Sequence, residues 1–122
     1  MTNKVDAYNQ TIIEKKEQVN ELLNEKKQIN AWLDDYHDFT TSTTGLYHHL
    51  AERYYDSDMF SRIEENNDMF QSGQRQVMHA LYEQQSEIDR KIRLTNEDIE
   101  DIEKYRNIEI QKEQEGGHTY EY

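Results

Sequence analysis

From Asp58 to Lys112 the chain has no proline and one glycine. Its apolar residues there are Phe60, Ile63, Phe70, Val77, Leu81, Ile88, Ile92, Ile99 and Ile102. They recur at spacings built from threes and fours, the period of one helix face. The pattern predicts a helix over 58–112, far beyond the usual length of about 10–14 residues. A helix that long, with a single apolar stripe, needs a neighbour to cover it.

The preceding half supplies that neighbour. Over 3–39 a heptad places Val5, Ile12, Val19, Lys26 and Leu33 at one seam position. Tyr8, Lys15, Leu22, Ile29 and Tyr36 fall at the other. Eight of these ten are apolar or aromatic, which makes a strong seam. Lys15 and Lys26 interrupt it, but their stems can lie along apolar surface while the ammonium reaches water. Ile13, Leu23, Trp32 and Phe39 widen the stripe beyond what one partner helix requires.

Residues 40–45, TTSTTG, are the weakest helical stretch, because threonine and glycine are poor helix formers. They read either as a loop or as a soft segment of one long helix. Continuity is preferred, because Leu46, Tyr47, Leu50 and Tyr54 resume the helical spacing at once. The better break lies at Tyr55–Asp58, where Asp56, Ser57 and Asp58 are all favoured N-cap types. Ser61 with Glu64 has capping-box spacing, an alternative start a few residues on. The expected fold is therefore all-α: a long antiparallel two-helix hairpin, coiled-coil-like, with no sheet. As one domain over 1–112 it has a helix at about 3–54, a turn at 55–58 and a helix at 58–112. Gly73 either permits close helix approach or is a tolerated surface glycine. Gly116-Gly117 is expected to stop the second helix, leaving 113–122 as a flexible tail.

Composition narrows the function. The chain carries 26 acidic and 14 basic residues, a formal charge of -12. Both halves are acidic, so the basic footprint of a nucleic-acid binder is lacking. There is no cysteine, which excludes disulfides, thiolate zinc sites and cysteine nucleophiles. The opening MTNKVDAYNQ has no apolar run, so no Sec-type signal is expected. No stretch approaches a transmembrane span, and membrane insertion is not expected.

Chemistry-bearing clusters are few. Asp34, His37 and Asp38 share a helix face by spacing, yet a metal needs three or four converging ligands. The face is read as solvated, with no metal and no cofactor. P-loop, GxSxG and GxGxxG motifs are absent, and a thin hairpin offers paired carboxylates no cleft. No catalytic residue is assigned and no enzyme activity is expected. The aromatics are more informative: nine tyrosines, three phenylalanines and one tryptophan stand in a polar chain. They suit a protein interface, with filling of the hairpin's own seam as the alternative. Trp32, Tyr36, Phe39, Tyr47, Tyr54, Phe60, Phe70, Val77 and Leu81 are the candidate partner-binding residues. Tyr105 and Glu109, spaced as Tyr-x-x-x-acid near the end of the second helix, form a candidate export signal. The same spacing at Tyr54 and Asp58 is what chance supplies in so acidic a chain.

Several segments of the second half bear a family resemblance. YYDSDMF at the turn, SRIEENNDMFQSGQ after it and LYEQQSEIDRKIRLTNEDIEDIEKYRNIE resemble the small α-helical proteins encoded beside LXG toxins of the Gram-positive type VII secretion system. Asp98, Ile99, Glu100 and Asp101 are partly similar to a DDLYYE-like stretch of that family. The resemblance covers roughly residues 50–110. It implies a hairpin of WXG/ESAT-like shape, an adaptor or targeting factor acting as a chaperone for the N-terminal helical LXG domain of a toxin. It further implies a second small WXG-like helical protein as co-partner and contact with the membrane-embedded secretion ATPase. The location implied is the bacterial cytoplasm, with co-export by a non-Sec route. WXG proteins proper carry Trp-x-Gly at the turn. Here Trp32 is followed by Leu33-Asp34, far from the turn, which argues against a WXG protein proper.

Two other readings stand beside this one. The first is a structural coiled coil that associates with itself, as a homodimer in isolation. The second, resting only on the charge, is an acidic mimic of nucleic acid.

Overall fold

A computed structural model describes residues 3–120, with side chains described over 3–116. Two helices account for it: α1, Asn3–Arg53, and α2, Met59–Tyr120. The fold is an all-α helical hairpin, and no strand occurs among the described residues.

α1 runs unbroken through TTSTTG. The reason lies in where the threonines stand. Thr40 and Thr43 continue the heptad set by Ile29, Leu33 and Tyr36, and Tyr47 and Leu50 take it onward. Thr40 is 2% exposed, and its hydroxyl donates to the His37 carbonyl at 2.9 Å. Bonding back within the helix satisfies the hydroxyl, so a residue of low helix propensity can sit in the seam.

The turn is closed by backbone bonds. The Tyr54 amide donates to the Leu50 carbonyl at 3.0 Å, and the Ser57 amide to the Tyr54 carbonyl at 3.0 Å. Ser57 caps α2: its hydroxyl oxygen accepts from the Met59 amide at 3.0 Å. That choice among Asp56, Ser57 and Asp58 starts the helix at Met59, ahead of Ser61. The Tyr55 and Phe60 rings meet edge-on, 5.5 Å apart, and brace the turn.

At its other end α2 differs from the sequence expectation. It continues to Tyr120 through Gly116-Gly117, where a stop and a tail over 113–122 were expected. No described glycine has positive φ, so the left-handed cap that ends many helices does not form. Glycine weakens a helix by about 1 kcal/mol against alanine but does not forbid one. Residues 121–122 of the expected tail lie outside the described residues.

The chain comprises two compact units. The first is Met1–Glu25 with Ile88–Tyr122, and the second is Lys26–Glu87. A two-helix pairing makes only side-by-side contacts, so each stretch depends on the stretch opposite it.

In the first unit the seam is built on isoleucine: Ile12, Ile88 and Ile99 are buried. Lys15 stands in the seam as expected, its ammonium reaching Asp98 Oδ2 at 3.5 Å. Arg106 Nη1 donates to Asn9 Oδ1 at 3.2 Å, a second polar tie between the helices.

In the second unit Ile29, Leu33 and Ile63 are buried. Most of the α2 side of this seam is polar. Asn67, Gln71, Gln74 and Gln85 are half-buried at three-four spacing, with Met78 and Leu81 among them. Gln85 Nε2 donates to Asn30 Oδ1 at 2.7 Å, and Gln71 Nε2 to Asn67 Oδ1 at 3.5 Å. Among the described residues no buried side-chain nitrogen or oxygen lacks a partner.

Gly73 lies outside this seam. A Cβ added there meets nothing within 4 Å. Gly73→Ala should therefore stabilise the helix by about 0.5–1 kcal/mol, read as a higher midpoint in thermal melts followed by circular dichroism. A lower midpoint would mean that the residue is packed closely.

Candidate partner-binding face

The balance of apolar surface is unusual. Six hydrophobic residues are buried, while fourteen large ones are exposed among the described residues. Isolated exposed apolar side chains are ordinary, but a contiguous set marks an interaction surface.

In the second unit they are contiguous. Trp32, Phe39 and Leu46 recur every seven residues on α1, one position beside the seam. They are 48%, 56% and 58% exposed. On α2 half-buried Phe70 and exposed Val77 stand seven residues apart, continuing the spacing from the buried Ile63. The two ladders meet through Phe70, whose ring centroid lies 6.1 Å from Phe39 and 5.9 Å from Tyr47. Tyr36 joins Phe39 at 6.1 Å. Trp32, Asp35, Tyr36, Phe39 and Leu81 line a shallow open hollow. Rings held against one another lose little freedom on binding, and tyrosine and tryptophan are common anchors.

The candidate residues fall into two groups. Trp32, Tyr36, Phe39, Tyr47, Phe70 and Leu81 are brought together by these contacts. Val77 shares the ladder of Phe70 by spacing and is exposed, so it is not part of the seam that its place in the apolar series implied. Tyr54 and Phe60 belong to the turn, where Phe60 packs on Tyr55. Leu46, exposed in line with Trp32 and Phe39, belongs to the same face although it is not among the candidate residues. The recurrence of large apolar residues at 32, 39 and 46 is the signal that identifies Leu46.

Tyr105 and Glu109 lie in the first unit. Tyr105 is exposed and Glu109, one turn further on the same helix, is half-buried. His37 lines a polar hollow with Thr40, Thr41, Thr44 and Gln74. Among the described residues no group of three or more His, Asp or Glu side chains is placed to hold a metal ion. No helix among them is long and apolar enough to cross a membrane.

No family model matches the chain, and no curated protein and no solved structure matches it either.

Proposed function

We propose that the protein is an adaptor that binds the N-terminal helical LXG domain of a type VII-secreted toxin and promotes its export. The observation that carries the reading is the apolar face of the second unit, exposed at Trp32, Phe39 and Leu46 on α1 and at Val77 on α2, with half-buried Phe70 between the two helices. The likeness of residues 50–110 to proteins encoded beside LXG toxins supplies the identity of the partner. A second small WXG-like helical protein would complete the assembly, which would then meet the secretion ATPase. Binding takes place in the bacterial cytoplasm, with export by a non-Sec route. Tyr105 and Glu109, four residues apart on α2, are the candidate signal offered to the export machinery.

The chemistry required is burial alone. Apolar surface removed from water contributes about 25 cal/mol per Å2, less the ordering cost of association. The flexible side chains that dominate the rest of this acidic surface would contribute little.

Co-expression with an LXG domain tests the reading. The two chains should copurify, and Trp32→Ala should weaken the complex by roughly tenfold or more in a binding titration. Absence of copurification, together with a stable homodimer at micromolar concentration, would favour the self-associating coiled coil. Normal binding and normal toxin export by the variant would remove Trp32 from the interface.

A further inference from the structure

Each helix of the second unit carries two seams. On α1 the inner one passes through Leu33 and Thr40 and is covered by α2. A second runs Trp32, Asp35, Phe39, Ser42, Leu46 at the same three-four spacing, and all five residues are exposed. α2 has its own second seam, Asn66, Phe70, Gly73, Val77, Ala80, exposed but for half-buried Phe70. It bears no charged residue, and Gly73 is open space for an approaching helix. The Phe39–Phe70 contact joins the two second seams into one face. Three-four ridges on two adjacent helices are what a third helix packs into.

We propose that this face receives a single amphipathic helix of a partner, its apolar stripe bordered by lysine and arginine, to close a three-helix bundle over Lys26–Glu87. The inference rests on the adaptor reading and names the chemistry of the segment received.

Charge selects the occupant. Asp35 lines the hollow with Trp32, Tyr36 and Phe39, and Asp38 stands three residues further on. The unit holds eleven Asp and Glu against five Lys and Arg. A basic border meets that field favourably and is steered toward it. A second copy brings a charge of -12 to the same acidic border, and like charges brought together are penalised. A helical ligand is read by anchors at i, i+3, i+4 and i+7, the spacing both second seams carry.

Trp32 is the sole tryptophan and stands on the face, so its emission reports occupancy. The full chain is titrated with tryptophan-free peptides of about 21 residues, three heptads long. All carry one Leu/Ile stripe, bordered either by lysine or by glutamate. The lysine-bordered peptide should shift Trp32 emission to the blue, saturate at one peptide per chain, and weaken as salt rises. The glutamate-bordered peptide should bind at least about tenfold more weakly. Phe39→Asp and Leu46→Asp, both at exposed positions, should each reduce lysine-peptide binding by about tenfold or more while circular dichroism is unchanged. Equal binding of both peptides, no binding of either, or a concentration-dependent blue shift of the chain alone would overturn the proposal. An LXG domain titrated in parallel separates the two claims. If it binds while the peptides show no charge preference, the charge inference fails and the adaptor reading stands. If the lysine peptide binds and no LXG domain does, the reverse holds.

Discussion

Leu33→Asp should lose most of the helical signal of the second unit at room temperature. Leu33 is 9% exposed, in a seam whose other buried apolar residues are Ile29 and Ile63. The substitution removes a buried side chain worth about 2–5 kcal/mol and places a carboxylate where water is scarce. Domains are stable by only about 5–15 kcal/mol in all, so the loss is a large part of the whole. Few residues share the load, because the α2 side of this seam holds Asn67, Gln71, Gln74 and Gln85. Leu46→Asp is the control: the same change at an exposed position should stay within about 0.5 kcal/mol. Urea melts followed by circular dichroism make the comparison, and equal losses would contradict the assignment of inner and outer stripes.

Phe70→Ala should have the largest effect on partner binding among alanine substitutions, about 2–4 kcal/mol or roughly 30-fold and upward. Phe70 holds the face together, since its ring lies against both Phe39 and Tyr47. Truncation removes its own contact area and frees both neighbours to reorder. It is half-buried, so some stability is lost as well, and binding is best read by isothermal titration at a temperature where the variant remains helical. Tyr82→Ala, at an exposed residue outside both ladders, should leave affinity within about twofold. Equal effects of the two substitutions would place the interface elsewhere.

The hairpin is legible in the sequence because two independent signals agree. The apolar period runs on both sides of Tyr55–Asp58, and three cap-forming residues stand at that point. Other features resist reading for physical reasons. Thr40 has low helix propensity, and nothing in TTSTTG announces that its hydroxyl can bond inside the helix while its methyl faces the seam. In the sequence the apolar residues Phe60, Ile63, Phe70, Val77 and Leu81 form what looks like one stripe. In the structure it is two. The inner positions next to Ile63 pass to Asn67, Gln71 and Gln74, while Phe70 and Val77 lead onto the outer ladder. A polar seam beside an apolar outer face inverts the usual assumption that the more apolar stripe is the covered one. The width of the α1 stripe was the visible hint, since Trp32 and Phe39 had no place in a two-stranded seam. Gly116-Gly117 does not stop α2, because a glycine permits a cap without compelling one.

The most direct test is a titration of the full chain with an LXG domain, run in parallel for the wild type and Phe39→Asp. The wild type should bind saturably at one to one with a blue shift of Trp32, and the variant should fall by at least about tenfold with its helix content intact. Undiminished binding by the Phe39→Asp variant, or no binding by the wild type, would contradict the assignment of this face to a toxin's helical domain.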